Sequence, residues 1–319
     1  MPDYTPLPPP PVKEGFKPPN YDLTPAQEEM RKKVLAKFDD AEYKLPGVED
    51  GKLTEDEQFW LSYECILRYL RASKWVVDTA ITRLESTLKW RREFGLYTTV
   101  TAAHVEPEAF TGKEIIFGYD VDRRPALYLV PSRQNTEEGP RQIEFVVWML
   151  ERTIDLMGPG VETLALLINY ADKAKNPSFG TSRKVLSIIQ DHYPERLGRA
   201  LILNLPWLLA GFYKLITPFV DPVTREKMKF NPAVVPDGLF APDMVMKAHW
   251  GGEREFEWEH AKYWPALVSM CEERRARWRE RWRKLGGGVG VKEWEYKGGD
   301  AEANAAASAS TVKDKTPAD

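Results

Sequence analysis

The chain has 319 residues, 43% of them apolar, and a formal net charge of −3. That length suffices for one large core or two smaller ones. The small net charge leaves no global electrostatic footprint for nucleic acid, and no uncharged apolar stretch is long enough to span a bilayer. Cys65 and Cys271 form no CxxC pair and argue for no disulfide framework. The N-terminus lacks a basic-then-apolar signal pattern, and Asn176-Pro177-Ser178 is blocked as a glycosylation acceptor by its proline. The expectation is a soluble, intracellular chain.

Residues 1–20 carry Pro8-Pro9-Pro10-Pro11 and Pro18-Pro19 and read as a disordered or extended leader. Thr24, Pro25 and Gln27 open a helix with a capping box. Thr54-Glu55-Asp56-Glu57 is a second capping box, with acids in its first turn. Trp60, Leu61, Ile66, Leu67 and Leu70 follow it at helical spacing, up to a break at Ser73-Lys74-Trp75. Asp78 opens another helix that Gly95 stops. Residues 21–105 therefore form a helical N-terminal unit.

The pattern then changes. Residues 114–119 and 126–130 are β-rich runs around the turn Asp120-Val121-Asp122-Arg123-Arg124-Pro125, a hairpin. A helix is expected over 142–157, a buried strand over 163–170, a helix over 182–192 and a buried strand over 200–204. Strands alternating with helices imply an α/β fold with a largely parallel sheet over residues 106–256. A long helix follows over 257–285, then a tail over 286–319, Ala-, Ser- and Asn-rich at its end, which reads as disordered.

No GxSxG, HExxH or Walker pattern is present, and the four histidines have no metal-ligand spacing. No catalytic residue, metal or cofactor is expected. The stretch from Asn204 to Phe219 runs from a strand into a helix that is apolar nearly all round. It reads either as a core helix or as a mobile gate over an apolar cavity, with Trp207, Leu208, Phe212, Leu215, Ile216 and Phe219 supplying its apolar surface. In Asp221-Pro222-Val223-Thr224-Arg225-Glu226-Lys227 a capped helix start gathers a hydroxyl and cations, chemistry that suits a phosphate. On spacing alone the same segment is an ordinary capped surface helix.

Several segments in one order resemble the CRAL-TRIO lipid-binding family, within it the fungal phosphatidylinositol transfer proteins. They are 67–75, Trp90-Arg91-Arg92-Glu93, Asp122-Arg123-Arg124-Pro125, Tyr193-Pro194-Glu195-Arg196-Leu197-Gly198, Asn204-Leu205-Pro206 and 218–227. The resemblance covers about residues 54–252. It implies a sheet floor, a helical gate and a headgroup site away from the gate. Carried over by position, Glu195 would accept hydrogen bonds from inositol hydroxyls, Lys227 and Thr224 would hold the phosphate, and Lys74 would reach the headgroup from another side. Two departures stand out. Ser73 occupies a position that is a second cation in many members. Leu164 and Leu166 occupy cavity-wall positions where members that carry phosphatidylcholine have hydroxyls. A phosphate buried there without a partner costs several kcal/mol. Weak phosphatidylcholine binding and an apolar second ligand such as a sterol are expected.

The basic run Arg274 to Lys284 carries Trp278 and Trp282 on one helix face. It reads either as a packed stripe with solvated arginines or as an interfacial helix for anionic lipid. The expected function is transfer of phosphatidylinositol between membranes by transient contact, the chain being cytoplasmic and peripheral to a membrane such as the endoplasmic reticulum, a lipid droplet or the cell periphery. The alternative is a non-transferring sensor that presents the lipid to a lipid kinase or another partner. An enzyme of lipid metabolism ranks below both.

Overall fold

The computed structural model describes residues 1–12, 19–171, 178–206, 226–299 and 301. The chain divides into two compact units. One comprises residues 1–9, 98–157 and 161–273; the other comprises 10–97, 158–160 and the described residues from 274 on.

In the helical unit, α1 (Pro25–Phe38) and α2 (Glu55–Trp60) each start on a full capping box, Thr24 with Gln27 and Thr54 with Glu57. The run from Thr54 to Ser73 is two helices rather than one. Leu61 leaves the helical conformation, and Ser62 caps α3 (Tyr63–Ala72) by accepting the Cys65 N–H at 3.0 Å. Helix α4 (Val77–Glu93) begins one residue before Asp78, which is an acid in the first turn and not a cap. Val34, Phe38, Leu61, Ile66, Tyr69, Leu70, Leu84 and Leu88 form the core of this unit.

Described stretches near both chain ends carry structure that their composition does not imply. In the other unit, Asp3 forms a bridge with Phe256, and its N–H donates to the Glu255 carbonyl at 2.8 Å. In the helical unit the expected disordered tail carries a short helix, α9 (Glu293–Lys297), with Glu293, Trp294, Tyr296 and Lys297 buried. Buried Glu293 binds Lys297 at 2.6 Å, Ser62 at 2.9 Å and Arg68 at 3.3 Å. These pairings offset the desolvation that composition alone would count against burial.

The α/β unit holds one five-stranded sheet in the order β1 (Glu114–Tyr119), β2 (Pro125–Leu129), β3 (Leu164–Asn169), β4 (Leu197–Leu203), β5 (Met228–Phe230). β1 and β2 pair antiparallel and the other neighbours are parallel. Helix α5 (Ala102–Ala109) precedes β1, α6 (Pro140–Asp155) connects β2 to β3, and α7 (Phe179–His192) connects β3 to β4. Sequence periodicity missed α5, which is short and contains Pro107, and β5, which has three residues. The outer edge of β1 meets Tyr263 on α8 (His260–Lys284). Its hydroxyl accepts the Ile116 N–H at 2.7 Å and donates to the Ile116 carbonyl at 2.9 Å, so at Ile116 the outward backbone groups are paired.

Register divides the sheet into rows. Ile116, Leu127, Leu166, Ala200 and Met228 are in line across the five strands. Glu114, Leu129, Ile168, Ile202 and Phe230 make the parallel row two residues away. Residues paired in register share a face, as do residues two apart on a strand, so both rows lie on one face.

Candidate functional site

The N-terminal ends of β3, β4 and β5 meet at a polar cluster. The turn Tyr193-Pro194-Glu195-Arg196 delivers the chain from α7 into β4. Glu195 is exposed and adopts φ 57°, a left-handed conformation that costs a non-glycine residue on the order of 1 kcal/mol. Its neighbours fix that turn. The Tyr193 hydroxyl donates to Glu151 at 2.7 Å, the Arg196 guanidinium donates to the Glu162 carbonyl at 2.9 Å, and the Arg196 carbonyl accepts the Leu164 N–H at 2.9 Å.

Lys227 stands at the mouth of β5. Its carbonyl accepts the Ala200 N–H at 2.9 Å, and its ammonium donates to the Leu197 carbonyl at 2.7 Å, two residues beyond Glu195. The turn that carries Glu195 and the ammonium of Lys227 thus both lie at the start of β4. Together they offer acceptors for hydroxyls and a cation for phosphate.

Beside them lies a network that sequence reading did not assign to the site. Asp120 is buried and accepts the backbone N–H groups of Asp122 and Arg124, both at 2.9 Å, and Arg199 Nε at 2.8 Å. Arg124 and Arg199 also reach Asp122, at 2.8 and 2.7 Å, and Arg124 Nε donates to Thr163 Oγ1 at 2.9 Å. Burial pushes the Asp120 carboxyl above its ordinary range; the Arg124 backbone N–H and the Arg199 and Arg124 guanidiniums oppose that. Gly198 makes room for it. A Cβ at Gly198 would lie 2.5 Å from Arg124 Cδ and Nε. The signal was present in Asp122-Arg123-Arg124-Pro125, but that run is equally explained by the hairpin it also builds.

Lys74 belongs to the helical unit, in the turn between α3 and α4. It is exposed, with φ 52°, and Trp75 beside it has φ 62°. Neighbouring Ser73 is buried, and its hydroxyl has no hydrogen-bond partner. Thr224 and the gate positions Trp207, Leu208, Phe212, Leu215, Ile216 and Phe219 lie outside the described residues. On β3, Leu164 is buried and Leu166 half-buried, two apart on one side of the strand.

The basic stretch of α8 resolves toward packing. In the helical unit Trp278 and Trp282 are buried against Phe59 and Tyr296. Arg275 and Arg279 bind Asp56, and Arg283 binds Glu55 at 2.6 Å. Among the described residues no cluster of His, Cys, Asp or Glu could hold a metal, and no helix is long and apolar enough to cross a membrane.

Family models for the CRAL/TRIO N-terminal domain and the CRAL/TRIO domain match residues 30–86 and 109–240. The chain belongs to the CRAL/TRIO family. It is 47% identical over 301 residues to the CRAL-TRIO domain-containing protein C23B6.04c of Schizosaccharomyces pombe, a match covering 92% of this chain and 29% of that protein. It is 36% identical over 314 residues to the phosphatidylinositol transfer protein PDR17 of Saccharomyces cerevisiae, covering 91% of this chain and 88% of that one. The crystal structure of Sfh5 superposes with a TM-score of 0.54 at 18% identity, covering 75% of this chain and 91% of that chain. It shares the fold.

Proposed function

We propose that this CRAL/TRIO protein is a phosphatidylinositol carrier that binds one lipid in a gated apolar cavity and exchanges it between membranes. The observation that carries the reading is the placement of Lys227 against the Leu197 carbonyl, two residues from Glu195, the two residues to which the family resemblance gives headgroup roles. Similarity to PDR17 over about nine-tenths of both chains supports it.

The chemistry is physical transfer. Each methylene moved from bilayer to water costs about 0.8 kcal/mol, so a two-chain lipid cannot cross unshielded at a useful rate. A dry cavity about as apolar as the bilayer makes exchange nearly neutral, and headgroup contacts then set selectivity. Glu195 takes the inositol hydroxyls, and Lys227 and Thr224 take the phosphate. The segment 207–219 is the gate, opening during transient contact of the cytoplasmic protein with a membrane. Leu164 and Leu166 offer no hydrogen bond to the phosphate of phosphatidylcholine, which leaves room for a neutral second ligand such as a sterol.

The test is transfer of labelled phosphatidylinositol between donor and acceptor vesicles. The wild type moves it, and Glu195→Ala combined with Lys227→Ala abolishes loading while circular dichroism stays unchanged. A wild type that binds the lipid and moves none contradicts the carrier reading in favour of a sensor. Unchanged loading in the double variant overturns the headgroup assignment.

A further inference from the structure

The carboxyl group of Glu114 ends the apolar row Leu129, Ile168, Ile202 and Phe230 and lies on the same face as Leu166 and Ile116. It is the only acid in either row. The residue is 7% exposed, and its Oε2 is buried without a hydrogen-bond partner.

A buried carboxylate ordinarily recruits a cation, and one is adjacent in sequence. Lys113 is otherwise engaged: its ammonium donates to Glu108 at 2.5 Å and to Thr136 at 3.2 Å, and lies 5.6 Å from the centre of the Phe145 ring. Arg141 adds a second cation to Glu108 at 3.2 Å. Nearby positive charge has therefore gone to Glu108, and Glu114 faces the apolar row alone. Burial pushes its carboxyl up to about 8, with Lys113 opposing and Glu108 adding to the rise, so the group is largely protonated near neutrality. A neutral carboxylic acid offers one O–H donor and a carbonyl acceptor, the complement of a single hydroxyl.

We propose that Glu114 is the polar anchor for an uncharged lipid bearing one hydroxyl, a sterol-class ligand, whose apolar body lies along the two rows. The inference rests on the carrier reading, in which Leu164 and Leu166 line the lipid cavity. It adds a residue that selects the second ligand. A hydroxyl meeting Glu114 pairs a group that is otherwise buried and unsatisfied, so ligands with the hydroxyl gain over those without it. A phosphodiester brought to the same place meets a carboxyl that turns anionic when it loses its proton.

The experiment measures binding of radiolabelled cholesterol and of its 3-deoxy analogue to the full chain, with phosphatidylinositol loading measured in parallel. Wild type is expected to prefer cholesterol by about tenfold. Glu114→Leu should bind the two equally, and Glu114→Gln, which keeps a donor and an acceptor, should retain the preference. In wild type alone, the infrared carbonyl stretch of the protonated carboxyl should shift on adding cholesterol and not on adding the analogue. That arm needs no variant to fold. Equal binding of the two ligands by wild type overturns the proposal, as does an unchanged preference in Glu114→Leu. If phosphatidylinositol loads normally in those cases, the anchor alone fails; if it does not load at all, the carrier reading fails with it.

Discussion

The N-terminal end of the parallel strands and the face of the same sheet handle charge in opposite ways. At the strand ends, buried Asp120 has Arg124, Arg199 and two backbone N–H groups around it. On the face, Glu114 stands in a row of leucine, isoleucine and phenylalanine with its Oε2 unpartnered. Glu108 sharpens the contrast. Burial alone would raise its carboxyl, but bonds from Lys113, Thr136 and Arg141 outweigh burial and hold it below its ordinary value. Burial and partners compete: at Glu108 the partners outweigh burial, at Asp120 they oppose it without overcoming it, and at Glu114 burial dominates. One end of the sheet thus gathers paired charges, while the face carries apolar side chains and one unpartnered acid.

The largest effect that would break this contrast is at the headgroup end. Glu195→Ala with Lys227→Ala should reduce phosphatidylinositol loading by at least about a hundredfold, equivalent to about 2.7 kcal/mol, measured by lipid extraction after incubation with vesicles. Next is Asp120→Ala, which leaves Arg124 and Arg199 with exposed Asp122 as their only shared carboxylate and strips two backbone N–H groups of their acceptor. It should cost about 3–5 kcal/mol of stability in urea unfolding, and a loss below about 1 kcal/mol would mean the network is dispensable.

On the face the sign reverses. Glu114→Leu should raise stability by about 1–3 kcal/mol, because the unpaired group is lost. The folded protein holds the Glu114 proton up to about pH 8, whereas the unfolded chain releases it near 4.5. Between those values the native state binds the extra proton. The associated stability is therefore complete below pH 4.5 and lost as pH rises through 8. Urea midpoints measured across that range should decline for wild type relative to Glu114→Gln; parallel profiles would place Glu114 in a polar setting. The smallest effect belongs to exposed Arg283 on Glu55, where Arg283→Ala should leave the urea midpoint unchanged.

Much of the fold was legible because its signals are local. Thr24 with Gln27 and Thr54 with Glu57 announced two helix starts, and both form the full box. The apolar run over 163–170 announces a buried strand, which forms over Leu164–Asn169. The spacing around Ser62 reads as one continuous helix because its role as a cap depends on Leu61 leaving the helical conformation. The strand β5 escaped notice because three residues give no periodicity. Glu195 and Lys227 are singled out only by family resemblance, since a lone acid in a turn and a lone lysine carry no signal in themselves. Asp120 and Arg199 were missed because their pairing joins positions 79 residues apart through the folded sheet. Glu114 was missed for a related reason. An acid at the start of a strand reads as a solvated end until register shows which row it completes.

The most direct test of the carrier reading is native mass spectrometry of the purified chain with extraction and identification of whatever lipid it carries. The account predicts one phosphatidylinositol per chain, absent when Glu195 and Lys227 are both alanine, and no phosphatidylcholine in its place. A wild-type chain loaded mainly with phosphatidylcholine, or one that holds phosphatidylinositol equally well without Glu195 and Lys227, would contradict it.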